Sequence, residues 1–410
     1  MTPRRLLRAT FLCILVFFVL AACTAAEQSI EVVLTGQPEL YESVVDQFRA
    51  VHPDIKVDYR TEVFGTWQEK LSILLASDLA PDVFILSWAY FGEFADLGVL
   101  LDIGPLVERD YNAMRGSDII PAAWEAAKYN GRQLGIPFLP GHTMIFYNKD
   151  MLADASVAEP KADWTWDEFV EIARKTTQRG VTDEVNSKYA IDHSGIASWN
   201  FWSAVLFSHG GSVWNKAGTG FAINSEAGLQ AFQFIDELAN RFQVLPPRGL
   251  SGLWSVGRLT FTNGSSAVLN NTRKDQRFDF AVTNYPAGPA GQFNTGGILP
   301  VCAKADTKQP EAAWTFMKYL LSPECMEYRA GYGQLPVRAS VVRRLPDPYI
   351  REFASGISSA VLWTNKYYNQ LNRIMNTHVN SIVNGQEPVS NALTNLEIAL
   401  NAFLQSQTTK

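Results

Sequence analysis

Apolar and polar positions along the first hundred residues follow two rhythms that take turns. Residues 29–34, Ser-Ile-Glu-Val-Val-Leu, are a short Ile/Val/Leu-rich run, the pattern of a buried strand. The run ends in Thr35-Gly36-Gln37-Pro38, and Tyr41, Val44, Val45 and Phe48 then recur at helical spacing. After the turn His52-Pro53-Asp54, residues 55–59 alternate as Ile, Lys, Val, Asp, Tyr, which predicts a strand. Trp67, Leu71, Leu74 and Leu75 return to the helical period, and residues 82–86 form a third strand that opens into Ser87-Trp88. Strands alternating with helices predict an α/β fold with a parallel, doubly wound sheet. Such sheets bind ligands beyond the carboxyl ends of their strands. Gln37, Phe64, Trp67, Ser87 and Trp88 fall at or just after those ends.

The alternation continues downstream. A Gly131-to-Pro137 turn leads into the strand-like Thr143 to Asp150 segment. Thr165-x-x-Glu168 forms a capping box that predicts a helix to about residue 177, because each side chain satisfies the other's backbone N–H. A second α/β stretch runs to Phe280, with residues 259–271 read as a helix end, a Gly-Ser turn and a strand over 266–270.

The amino terminus changes the picture. Arg4, Arg5 and Arg8 precede an unbroken apolar run of 12 residues, 11–22. Twelve helical residues rise roughly 18 Å, short of a ~30 Å hydrocarbon core, so residues 1–22 are expected to be a signal peptide and not a span. The run ends Leu20-Ala21-Ala22-Cys23, which resembles a bacterial lipobox in which Cys23 is lipidated. Residues 23–29 then form a lipidated tether, and the protein is exported and held at the outer face of the cytoplasmic membrane. Losing the three arginines moves the formal charge from −6 to −9. An acidic chain without a Lys/Arg run does not suit nucleic acid. Cys302 and Cys325 remain in a compartment that permits oxidation, either bridged or as buried thiols.

Four segments, taken in order, resemble one family. They are Phe146-Tyr147-Asn148-Lys149-Asp150 and Thr165-Trp166-Asp167-Glu168-Phe169, then Asn294-Thr295-Gly296-Gly297 followed by Pro310-Glu311-Ala312-Ala313-Trp314, and finally Leu335-Pro336-Val337-Arg338. This ordered set is similar to the extracellular solute-binding proteins of ABC sugar importers. The resemblance implies two hinge-linked α/β lobes, the periplasmic-binding-protein fold, with ligand in the cleft. It places lobe I at residues 30–138 plus 285–336 and lobe II at 139–284 plus 337–410, with hinge crossings near 137–141, 283–286 and 336–338. It further implies a monomer that delivers a sugar or oligosaccharide to ABC permease transmembrane subunits served by a cytoplasmic ATPase. No cofactor is expected.

Sugars pair apolar C–H faces with hydroxyl rims, so their sites combine aromatic plates with planar hydrogen-bonding side chains. Of the 11 tryptophans, Trp124 and Trp314 lie on helical apolar stripes, and Trp164 and Trp166 flank a helix cap. Trp67, Trp88, Trp199, Trp202, Trp254 and Trp363 lie at strand ends or in polar segments; each is a candidate plate, with core packing the equal alternative. Polar candidates are Gln37, His142, Tyr285, Tyr332, and Asn270 and Asn271 after the expected strand. Gly296 and Gly297 would let backbone approach a ligand. The runner-up is a glycerol phosphate or another anionic polyol held by Arg338 or Arg273. Phosphate-loop, dinucleotide, zinc-protease and Ser-hydrolase motifs are missing, and the five histidines have no metal-ligand spacing. A secreted glycan hydrolase using a carboxylate pair, and a sensory or adhesion lipoprotein, stay open as functions of other classes.

Overall fold

The computed structural model describes residues 28–180, 187–216, 220–275, 277–362 and 365–408. Residues 1–22, expected to be a signal peptide, and Cys23 and Trp363 lie outside the described residues. Strand β1 (Gln28–Thr35) pairs in parallel with β2 (Ile55–Glu62) and with β3 (Val83–Ile85). All three residues of β3 are buried, which is why it reads as a continuous apolar run. Helix α1 (Pro38–Val51) lies between β1 and β2 in sequence and buries Leu40, Tyr41, Val44, Val45 and Phe48, the stripe its spacing predicts. Its proline sits in the first turn, where a missing N–H costs nothing, and α2 (Phe64–Ala76) follows β2.

Two more strands complete the first sheet. They are β4 (Ile136–Pro140) and β9 (Ile298–Ala303), giving the order β2-β1-β3-β9-β4. The fully parallel expectation holds for β2, β1 and β3 only. β9 runs antiparallel to both its neighbours because the chain re-enters here from the other lobe, where β4 has just left: Ile298 pairs with Pro140. The second sheet is β6-β5-β7, built from β5 (Met144–Asn148), β6 (Phe261–Gly264) and β7 (Phe280–Thr283), all antiparallel. A short parallel pair, β8 (Asn294–Gly296) with β10 (Ala360–Leu362), joins the return crossing to the C-terminal part.

Two apolar cores form. The first gathers Val32, Phe48, Trp67, Phe84, Cys302 and Trp314, and also takes in Met144 and Phe146 of β5 and Phe280 and Val282 of β7. The second gathers Phe169, Trp202, Phe232, Leu371 and Leu400, so the C-terminal helices Tyr368–Val383 and Val389–Thr408 complete it. Cys302 and Cys325 are both free and buried, which settles the bridge left open above, and burial pushes both thiols up. The helix expected after Thr165 spans Trp166–Thr176 with its capping box formed. Residues 266–270 are not a strand. They open the helix Ser266–Asp275, and the strand is the preceding Phe261–Gly264. Among the described residues, no helix is long and apolar enough to cross a membrane.

Candidate binding cleft

The crossing from β4 to β5 and the return into β9 form the floor between the sheets. Thr143 donates its N–H to the Thr295 carbonyl at 2.9 Å, and Gly141 donates to Gly297 at 2.8 Å. A cavity of about 430 Å³ opens above this floor, lined by Gly141, Thr143 and side chains from both lobes.

The first lobe contributes Trp88. β3 ends at Ile85, and the Ser87 hydroxyl caps the helix α3 (Trp88–Asp96) by accepting from the Ala89 N–H at 3.3 Å. Trp88 is therefore the first helical residue past a strand end, half-buried, its ring 4.2 Å from that of Tyr368. Gly297 backs it closely: a Cβ there would fall 2.1 Å from Trp88 Cγ.

The facing wall is built from consecutive helix starts. Asp192 caps His193–Ala197, its Oδ1 accepting from the Gly195 N–H at 2.6 Å and from the Ser194 hydroxyl at 2.9 Å. Ser198 caps the next helix, Trp199–Ser208, and donates its own proton to the Gly195 carbonyl at 2.7 Å. Caps take Ser and Asp because those side chains satisfy free N–H groups. Here the same residues leave oxygens at the cavity rim. Asn200, Thr262, Asn263, Gly264 and Ser265 complete the lining. Asn200 Oδ1 is buried with no hydrogen-bond partner among the described residues. Asp192 is the one ionisable group in the lining, and no Arg or Lys shares it.

The sequence candidates separate clearly. Trp88 lines the cavity, and Gly297 shapes it from behind. Gln37 lies nearer a rim cluster, donating to the Tyr332 carbonyl at 3.4 Å; Tyr332 is 47% exposed and its hydroxyl is 3.3 Å from that of Tyr328. Phe64 is 43% exposed at a helix start. Trp67 is a correction: it is fully buried and donates to the Ile85 carbonyl at 2.8 Å, so it packs the first core. Trp199 and Trp202 pack edge-to-face at 4.6 Å in the second core. Trp254 donates to Thr272 Oγ1 at 2.9 Å and packs on Phe146 and Phe278, away from the cavity lining.

Asn270 and Asn271 sit on a helix and not after a strand, because the strand ends at Gly264; Asn270 abuts Gly333 and Asn271 is exposed. His142 is buried, Nε2 donating to the Phe353 carbonyl at 2.8 Å, and burial pushes its imidazole down to about 4. Gly296 packs against His142, where a Cβ would lie 2.5 Å from its Cα. Tyr285 is buried, and burial pushes its phenol up, which keeps it protonated.

The anion candidates are engaged elsewhere. Arg338 is buried and donates to the Arg115 and Met114 carbonyls at 3.0 and 2.6 Å. Arg273 pairs with Asp347 and lies over the Tyr349 ring at 4.7 Å. Sequence reasoning missed Asp192, Ser194, Ser198, Asn200, Thr262, Asn263 and Ser265. Their signal was the paired cap pattern Asp192-x-x-Gly195 and Ser198-x-x-Phe201, which marks two helix starts within seven residues.

With the geometry in place, the chain can be set beside known proteins. The model of the bacterial extracellular solute-binding protein family matches residues 33–327. The maltotriose-binding protein of Pyrococcus abyssi is 24% identical over 340 residues, covering 79% of this chain and 70% of that protein. The sugar-binding protein MalE from Xanthomonas citri superposes with a TM-score of 0.82 at 20% identity, over 93% of this chain and 98% of that one. UgpB from Mycobacterium tuberculosis, solved in complex with glycerophosphocholine, gives a TM-score of 0.76 at 20% identity, over 93% and 99%.

Proposed function

Because the chain belongs to the bacterial extracellular solute-binding proteins, a family of receptors and not of enzymes, we propose that it captures a neutral sugar or oligosaccharide and delivers it to an ABC permease. The observation that carries this reading is the cavity itself. It sets one aromatic plate, Trp88, opposite hydroxyl, amide and carboxylate oxygens, with no cation in the lining. A sugar ring offers an apolar face to the first and hydroxyl protons to the second. An anionic polyol would meet Asp192 and no Arg or Lys, which disfavours the glycerol phosphate alternative. Two of the three proteins named above are a maltotriose- and a sugar-binding protein, while the third was solved with glycerophosphocholine.

On this reading lobe I comprises residues 30–138 plus 285–336 and lobe II residues 139–284 plus 337–410, and they close on the ligand. The protein is not an enzyme and acts as an exported, lipid-anchored monomer. Replacing Cys23 by Ser should then move it from membranes to the soluble exported fraction; unchanged membrane association would refute the anchor. The function is tested by thermal shift against maltotriose, other neutral saccharides and glycerophosphocholine. A ligand at 100 times its Kd adds about 2.7 kcal/mol of stability, so a neutral saccharide should raise Tm and be recovered unchanged. Stabilisation by the phosphodiester alone, or a cleaved saccharide, would overturn the reading.

A further inference from the structure

The Tyr285 hydroxyl sits where three stretches of chain meet at the cavity floor. It lies 3.0 Å from Thr143 Oγ1 and 3.1 Å from Asn263 Nδ2. Thr143 belongs to the crossing between β4 and β5, Asn263 to β6, and Tyr285 to the segment after β7. The Tyr285 ring is buried edge-on against Phe201, at 6.1 Å, and does not line the cavity, whereas Thr143 and Asn263 do.

Proton counting gives these bonds one self-consistent set of directions. Thr143 Oγ1 lies 3.2 Å from the Thr295 carbonyl and 3.0 Å from the Tyr285 hydroxyl; with its single proton on the carbonyl, which cannot donate, it accepts from Tyr285. Tyr285 therefore donates to Thr143 and accepts from Asn263. On the other side, Ser198 spends its proton on the Gly195 carbonyl and accepts from Asn263 Nδ2 at 2.9 Å. Both neighbours of the Asn263 amide are thus acceptors, and only its NH₂ group can face them. The alternative amide orientation would set oxygen against oxygen twice. Both amide protons are spent, and Asn263 Oδ1 has no hydrogen-bond partner among the described residues.

We infer that Tyr285 is a positioning residue that locks Asn263 with its carbonyl oxygen toward the cavity, as an acceptor for a ligand hydroxyl proton. The inference rests on reading the cavity as a sugar site, and it specifies which way that site hydrogen-bonds. Asp192, also acceptor-only when ionised, stands on the same wall. The wall thus selects ligands that donate, and the floor of the hinge holds the selecting group. Removing the Tyr285 hydroxyl leaves Thr143 bonded to Thr295 and Asn263 bonded to Ser198, so the fold keeps its partners while the lock loses one of two bonds.

The test uses the exported chain and the variants Tyr285→Phe, Asn263→Ala and the double variant. The first arm needs no sugar: the side-chain amide of Asn263 is followed by NMR after selective Asn labelling. In Y285F its two proton resonances should shift and its solvent exchange should quicken; an unmoved amide overturns the proposal. The second arm titrates maltotriose and its O-methylated form. Y285F should weaken maltotriose roughly three- to tenfold, the factor one hydrogen bond is worth, and the double variant should bind no worse than Asn263→Ala. Methylation should cost wild type more than Asn263→Ala. Additive losses, or equal affinity in Y285F and wild type, would mean that Tyr285 does not act through Asn263. Should wild type bind no saccharide, the sugar reading fails, and the amide arm decides the positioning role alone.

Discussion

His142 lies buried beside the crossing from β4 to β5, bonded to the Phe353 carbonyl through Nε2 while Nδ1 has no partner among the described residues. Its imidazole is held down at about 4, whereas an unfolded histidine titrates near 6.5. Between those values the unfolded chain takes up a proton that the folded chain refuses, so stability is complete above about pH 6.5 and is lost as pH falls toward 4. The loss attributable to this group is about 3 kcal/mol. His142→Gln can keep the donor to Phe353 without titrating, and its denaturation midpoint should fall less steeply between pH 7 and 4; parallel slopes would refute the assignment. The tryptophans make the second residue-scale case. Trp88→Ala should weaken sugar binding by about 1–3 kcal/mol, by analogy with base stacking, and leave Tm nearly unchanged. Trp254→Ala should do the reverse, lowering stability by about 2–3 kcal/mol through lost packing on Phe146 and Phe278. Isothermal titration beside thermal melts separates the two. Sequence could pick out both rings as sizeable and locally unexplained, but an indole filling a core and an indole facing a cleft have the same neighbours in the chain. Trp67 shows the difficulty: it follows a strand as Trp88 does, yet points inward.

Elements were legible where their signal is local. The alternation over residues 55–59 and the Thr165–Glu168 box rest on contacts within a few residues, and both formed where they were expected. Residues 266–270 failed for a physical reason. Ala-Val-Leu between Ser and Asn is too short an apolar run for its period to show, and the helix is decided by Leu269 and Thr272, one turn apart and both buried. The cavity wall was invisible because its polar residues look like ordinary helix caps; only the arrival of α3 from the other lobe turns them into a lining. Gly297 carries the element-scale prediction. A Cβ there would meet Trp88 at Cγ, 2.1 Å, and at its own Cβ, 2.6 Å, close to the stem, so rotating the ring cannot relieve the clash. Gly297→Ala should therefore displace the start of α3 and weaken saccharide binding at least as much as Trp88→Ala does. Binding equal to wild type would show that the helix start yields freely.

At the scale of the molecule, two sheets share a floor of antiparallel crossings, and the opposite side is spanned by α3 and the segment leading into the helix Tyr368–Val383. Asp96 binds Lys366 at 2.9 Å, Asn369 donates to the Ala89 carbonyl at 3.3 Å, and a Cβ on Gly92 would strike the backbone of Asn365 and Lys366. A saccharide bridging Trp88 and the Asn263 wall gains its contacts only when the lobes approach, so bound protein should be more compact in small-angle scattering. An unchanged radius of gyration at saturation would refute closure. None of this long-range pairing is written in local periodicity: that β9 slots between β3 and β4 joins residues more than 150 positions apart. The same interleaving governs the order in which the molecule can come into being. A chain released from its amino end presents β1 to β4 early, but the sheet keeps a gap in its middle until residues 298–303 emerge. The other core waits longer still, for Leu393, Leu396 and Leu400 near the last residues. The first core draws nothing from the helix Val389–Thr408, so it can close once residues 298–357 have emerged, whereas the second stays an open thread until Leu400 is free.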